Sequence, residues 1–195
     1  MTRDKIDQAA DAYAIFMDQV IPGWREDPQA FDTPRRVAKS FVNDLVKSLH
    51  ATEGPKISSF DNGEGYDGMV AQLDIPVKSL CAHHHLPIIG VAHVAYIPTP
   101  SSKIIGLSKL NRIVEFWSRR PQTQEHLTMQ IHEDIARHTE GNVGVAVAIY
   151  AKHFCCSHRG ISHDSTMKTA KLSGAFMDDQ TKARDEFYQF ISNLK

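Results

Sequence analysis

The clearest structural signal in this chain is a period-two run near its C-terminal third. Val143, Val145, Val147, Ile149 and Ala151 fall on alternate positions. β-Branched residues in that rhythm put one apolar face on a strand. His153 and Cys155 continue the register. The run predicts a strand over 143–155 whose end presents an imidazole and a thiol on the same side.

The rest of the chain is read around that strand. Residues 5–20 predict a helix with Ile6, Ala9, Tyr13, Phe16 and Val20 on one face, ended by Pro22-Gly23. Asp32-Thr33-Pro34 is a helix start, with Thr33 able to cap and Pro34 suited to the first helical position. Val37, Phe41, Leu45 and Leu49 follow as an apolar stripe. Residues 50–68 carry Gly54, Gly63, Gly65 and Gly68 among small polar residues, and read as a loop or linker. Residues 69–80 and 88–97 predict two hairpin strands. Ser108 is placed as the N-cap of a helix that buries Leu110, Ile113, Val114 and Trp117. A second helix follows Pro121, with Leu127, Ile131 and Ile135 inward, and stops at Gly141-Asn142. A last helix, about 180–194, buries Phe187, Phe190, Ile191 and Leu194. This order predicts an α+β fold: an antiparallel β-sheet with helices on one face, preceded by an N-terminal helical segment. Residues 1–50 form that segment, 51–68 the linker, and 69–195 the α+β domain, all within one functional unit.

Bulk properties narrow the function. With 195 residues, 42% of them hydrophobic, the chain has material for one sizeable core. A formal net charge of -1 argues against a general nucleic-acid binder. The stretch from Met1 to Asp11 is charged and lacks the apolar run of a signal peptide. The most apolar segment, 88–97, is too short for a membrane span and contains His93. A cytoplasmic protein is expected, with no membrane partner. There are 3 cysteines, two of them adjacent, which suits metal or catalytic thiols better than a disulfide framework.

Two segments concentrate the chemistry. Cys81-Ala82-His83-His84-His85 follows one predicted strand, and His153-Phe154-Cys155-Cys156-Ser157-His158-Arg159-Gly160 ends another. Cys81 and His84 have Cys-x-x-His spacing, and Cys155 arrives from the other strand. Three protein ligands and a water make a catalytic zinc site. A fourth ligand, Cys156 or His85, would make it structural, although Cys156 should point away from Cys155 along a strand. His83 and His153 are suited to proton transfer near neutral pH. Taken singly, each of these residues has a plainer reading, as a core thiol or a surface histidine.

A basic group accompanies them. Ser108, Lys109 and Arg112 fall early in a predicted helix, whose free N–H groups and dipole favour anions. Arg159, Arg36 and Lys39 add cations, and the set suits a polyphosphate. Singly, each is a solvated surface charge. Gln124 and Glu125 begin the helix after Pro121; a carboxylate there can accept paired N–H donors from a purine-like ring, and its plainer reading is a helix-surface glutamate.

These segments resemble the GTP cyclohydrolase I family. The resemblance is carried by Asp32-Thr33-Pro34-Arg35-Arg36-Val37-Ala38-Lys39, Cys81-Ala82-His83-His84, Tyr96-Ile97-Pro98 and Ile105-Gly106-Leu107-Ser108-Lys109-Leu110-Asn111-Arg112. It continues through Arg120-Pro121-Gln122-Thr123-Gln124-Glu125, then His153-Phe154-Cys155 with Arg159-Gly160. The motifs run collinearly over about residues 30–190. The resemblance implies a tunnelling fold whose subunits join sheets into a barrel, with two pentamers stacked as a toroidal homodecamer and active sites shared between subunits. It implies Zn2+ on Cys81, His84 and Cys155, an acid–base pair of His83 and His153, and guanine held by Glu125 with Gln124 nearby. Ser108, Lys109, Arg112 and Arg159 would hold the triphosphate of GTP, supported by Arg36 and Lys39. The implied reaction is attack of zinc-activated hydroxide at guanine C8 while His153 helps protonate N7. Formate release, ribose opening, an Amadori rearrangement and ring closure then give 7,8-dihydroneopterin triphosphate.

The chain departs from the family pattern at three places. Ala82 stands where glutamate is usual, His85 where an apolar residue is common, and the segment 161–170 reads one residue shorter. Two other readings go with these departures: a paralogue that opens a purine nucleotide without full rearrangement, and a non-catalytic zinc-stabilised regulatory subunit.

Overall fold

The computed structural model describes residues 3–51 and 54–193. The chain separates into two compact units, Met1–Thr52 and Glu53–Lys195.

In the first unit, α1 (Arg3–Val20) packs on α2 (Thr33–Ser40). The inward line of α1 runs through Ala10 and Met17, not through the stripe expected from sequence; Phe16 and Val20 are 54% and 53% exposed. A small residue and a flexible one let the second helix approach closely. Asp32, not Thr33, occupies the N-cap position of α2, and it makes no side-chain cap bond. Its carboxylate pairs instead with Arg36 Nε at 3.1 Å. The helix does not run on to Leu49. A π-helical turn, Phe41–Leu45, and a 3₁₀ turn, Lys47–His50, bury Val46 and Ser48 and leave Leu49 exposed. Ser40 Oγ donates to the Val37 carbonyl at the junction, a bond that competes with regular helix.

The second unit runs β1 (Ser59–Asp61), β2 (Val70–Cys81), β3 (Pro87–Ile97), β4 (Lys103–Ile105), α3 (Leu107–Ser118), β5 (Pro121–Gln122) and α4 (Gln124–His138). It continues with β6 (Gly144–His153), a helical turn α5 (Phe154–Ser157), β7 (Thr166–Leu172) and α6 (Ala183–Ser192). The main sheet has the order β5-β2-β3-β6-β7. All its pairs are antiparallel except the short β5–β2 contact. β1 and β4 pair separately, so part of the expected 50–68 loop is strand.

Alternation sets the two faces. Val94 and Tyr96 of β3 and Val145, Val147 and Ile149 of β6 face α3 and α4, where Leu110, Ile113, Leu127, Ile131 and Ile135 complete the core. The intervening Ala95, Ala146 and Ala148 face the other way, and Phe176, Ala183 and Phe187 cover them. Helices therefore lie on both faces of this unit, which corrects the one-face expectation. The small alanines leave room for two phenylalanine rings, and full burial of each is worth about 1.5–3 kcal/mol. In α6 only Phe187 of the expected aromatic face is fully buried; Phe190 is 38% exposed, Ile191 is half-buried, and Leu194 lies outside the described residues. Gly90 is the strand residue that permits the tightest β3–β6 approach: a Cβ there would lie 2.0 Å from the Tyr150 carbonyl oxygen.

A bulge between Gln72 and Ile75 changes which side chains of β2 face inward. It puts Asp74 at φ 53, a conformation that aspartate tolerates better than most residues. The Asp74 N–H freed from the ladder donates to Nδ1 of buried His93 at 3.3 Å. His93 and His132 are both held below the ordinary histidine value, chiefly by burial. Below about pH 6.5 the unfolded chain therefore binds more protons than the folded one. Stability should be full above that point and fall as pH drops toward the folded-state values. Urea midpoints measured from about pH 8 down to about pH 5 check this. The expected result is a plateau and then a decline, with His93→Gln flattening the decline; a midpoint independent of pH contradicts it.

Candidate metal centre and active site

The β2–β3 connection is a tight turn built to present side chains. Cys81 N–H donates to the Leu86 carbonyl at 2.9 Å, His85 N–H to the Cys81 carbonyl at 2.8 Å, and Ala82 N–H to the Gln122 carbonyl at 3.2 Å. His85 closes the turn at φ 52. Cys81 points into the helix-side core and is 4% exposed, while Ala82, His83, His84 and His85 are exposed.

The strand β6 ends at His153, two residues earlier than predicted. Phe154–Ser157 turns as helix, so Cys155 does not reach the site by strand alternation. It reaches it from the first turn of α5. The ligand atoms of Cys81, His84 and Cys155 all lie within 4.8 Å of one another. Neither Cys156 nor His85 joins the group among the described residues.

The donor set fits a metal ion. Two thiols and an imidazole suit zinc and similar borderline metals, and three protein donors leave a position open. Without a cation, burial pushes the Cys155 thiol up to about 11, aided by the neighbouring Cys81 and Cys156. Two thiolates this close repel each other unless a positive ion lies between them.

The surrounding side chains are ordered by hydrogen bonds. His83 Nδ1 lies 3.6 Å from Cys81 Sγ. Arg159 Nη1 donates to His84 Nε2 at 2.7 Å. A neutral imidazole has one lone pair, so His84 serves either Arg159 or a metal ion. His153 is held below the ordinary histidine value by burial, with Glu125 pulling the other way. His153 Nε2 lies 2.8 Å from Gln124 Oε1.

Other residues named from sequence take different positions. Gln124 is fully buried, with its amide spent on protein groups, so it does not face a ligand within this chain. Glu125 follows it in the exposed first turn of α4. Thr123 caps that helix by accepting from His126 N–H at 3.3 Å. Ser108 is not a cap: Gly106 is the N-cap of α3, and Ser108 sits within the first turn. Ser108 and Arg112 are exposed, and Lys109 Nζ donates to the Lys56 carbonyl at 3.4 Å. None of these three bonds to the Cys–His–Cys group among the described residues. Arg36 and Lys39 belong to the first unit, where they line a shallow cavity with Ile6, Asp32 and Arg35. Sequence reading did not find the Arg159–His84 contact or the placement of Thr169 beside Gln124 and Thr128, because both depend on long-range pairing.

A sheet rim that gathers two thiols, an open three-donor site and two further histidines defines an α+β protein with a candidate catalytic metal centre. The chain belongs to the GTP cyclohydrolase I family, whose model matches residues 17–192. It is 48% identical over 160 residues to GTP cyclohydrolase 1 of Flavobacterium johnsoniae, covering 82% of this chain and 70% of that protein. It is 43% identical over 184 residues to GTP cyclohydrolase 1 1 of Pseudomonas aeruginosa, covering 91% and 95%. Among solved structures, it is similar at TM-score 0.37 and 13% identity to archaeosine synthase QueF-Like in the apo form, over 61% of this chain and 96% of that one. No helix among the described residues is long and apolar enough to cross a membrane.

Proposed function

We propose that this chain is a zinc-dependent GTP cyclohydrolase that opens guanine at C8, releases formate and forms 7,8-dihydroneopterin triphosphate. The observation that carries this is the Cys81–His84–Cys155 group, with three donors within 4.8 Å, in a chain of this family. When bound there, a zinc ion supplies a Lewis acid and brings the pKa of water to about 7.

The chain's own residues divide the remaining work. His153 starts neutral, because burial disfavours its charged form, and it can take a proton and deliver it to guanine N7. His83, beside Cys81, serves as the second proton carrier. The Glu125 carboxylate accepts the paired N–H donors on the guanine edge. The first turn of α3 offers free main-chain N–H groups, and Ser108, Lys109 and Arg112 surround it as a triphosphate seat. With His84 engaged as a metal donor, Arg159 would lose that acceptor and its guanidinium would be available to phosphate oxygens. The family resemblance also assigns Arg36 and Lys39 to phosphate contacts.

The outer side of β7, which pairs with no strand among the described residues, supports assembly of the tunnelling type, in which subunits join sheets edge to edge. A ring of two stacked pentamers, with sites shared between subunits, is the arrangement we assign to it.

Incubation of zinc-loaded protein with GTP, with and without a chelator, tests the activity. Formate and pterin should form together, and chelation should abolish both. Formate without pterin would mean ring opening only. Neither product, with zinc bound at one per chain, would overturn the assignment.

A further inference from the structure

We propose that Gln124 is a positioning residue that locks His153 as its Nε2–H tautomer, leaving Nδ1 as the nitrogen that exchanges protons in the site. The catalytic half of this statement rests on the proton-transfer role assigned to His153 above; the tautomer does not.

The tautomer follows from which atoms can only accept. Gln124 Nε2 lies 3.0 Å from the Ile149 carbonyl oxygen, 3.2 Å from the Met167 carbonyl oxygen and 3.1 Å from Thr169 Oγ1. Main-chain carbonyls have no proton to give. Rotating the amide by half a turn would set its oxygen against two carbonyl oxygens inside a fully buried site. The nitrogen therefore faces β6 and β7, and Oε1 faces His153.

An amide oxygen also only accepts. The 2.8 Å contact between Gln124 Oε1 and His153 Nε2 thus requires a proton on Nε2. The remaining hydroxyls close the network consistently. Thr128 Oγ1 donates its one proton to the Gln124 main-chain carbonyl at 2.8 Å. Thr169 Oγ1 then donates to Thr128 Oγ1 at 2.7 Å, and its lone pairs are left to share one of the two Gln124 amide protons with a neighbouring carbonyl.

Two consequences follow. The neutral imidazole carries its lone pair on Nδ1, which has no hydrogen-bond partner among the described residues. A neutral amide also orients the ring without the charge that a carboxylate orienter would add.

The test is long-range ¹H–¹⁵N correlation on the full-length, zinc-loaded chain labelled with [¹⁵N]histidine, with His153→Asn to assign the ring. Above the pH of titration, Nε2 should show the protonated shift and Nδ1 the unprotonated one. The opposite pattern, or an averaged mixture, overturns the proposal. Gln124→Met keeps the shape but removes the lock. It should lose the single-tautomer signature and lower kcat about 10–100-fold, with KM for GTP within about twofold and a shifted pH profile. Normal kcat with an unshifted profile would overturn the positioning role. Wild-type protein that shows the expected tautomer but turns over no GTP would support the lock and sink the activity reading instead.

Discussion

Cys155→Ser should abolish metal binding and GTP turnover together. The thiol is one of only three donors that meet at the sheet rim among the described residues. A serine hydroxyl is a poor ligand for a borderline-soft ion. Closed zinc sites bind with about 10–16 kcal/mol of apparent free energy, so losing one donor of three amounts to roughly 3–5 kcal/mol. That is a factor of about 100 to several thousand in affinity. The effect has a second signature in protons. With its pKa at about 11, Cys155 holds its proton at neutral pH in the metal-free protein. Zinc binding must release it. Apparent affinity should therefore rise about tenfold per pH unit below that value on account of this group alone. Calorimetry in buffers of different ionisation enthalpy would count the protons, and the variant should release fewer. Zinc retained at one per chain with near-native affinity would place the metal elsewhere.

The approach of the candidate metal donors is legible in the sequence as far as the end of β6. Alternation along 143–153 fixed the direction of β6, and His153 does end that strand. The alternation does not carry to Cys155, where the chain has already turned into helix. The thiol still meets Cys81 and His84, because the turn lies beside the β2–β3 connection that carries them. Spacing in the sequence identified the residue types; only the fold could supply the path.

Other elements were hidden for definable reasons. β7 reads Thr-Met-Lys-Thr-Ala-Lys-Leu, with exposed residues at alternate positions, so its apolar signal is weak. Its place comes from pairing with β6, which no local pattern reports. β1 and β4 are three-residue strands joined across a long interval. Cap positions slipped by one residue at Asp32 and by two at Gly106, where the backbone of an earlier residue, not the hydroxyl, begins the helix. The helices packed on the sheet, α3 and α4, were the most legible: every residue expected inside α4, and all of those in α3 except half-buried Trp117, is fully buried, whereas the stripe expected on α1 leaves Phe16 and Val20 exposed. Gln124 was the least legible. A polar side chain at a helix start looks available to a ligand until the β6 and β7 carbonyls around it are known.

His153→Ala should keep the metal and lose most of the turnover. His153 is not one of the three metal donors, so zinc content should stay at one per chain. Its imidazole is poised for proton transfer by burial, which keeps it neutral, and by Gln124, which orients it. Positioned acid–base groups contribute about 10²–10⁴-fold, or roughly 3–5 kcal/mol of barrier. The loss should fall on kcat, since guanine and triphosphate contacts are assigned to other residues. Removing the ring also leaves Gln124 Oε1 buried without its donor, at a cost of about 1–3 kcal/mol in stability. Urea unfolding beside the kinetic assay separates that cost from the catalytic one. A folded, zinc-loaded variant with near-normal kcat would remove His153 from proton transfer. A folded variant that lost zinc as well would make the ring a structural support of the metal site, and the division between donors and proton carriers argued from Cys81, His84 and Cys155 would fail.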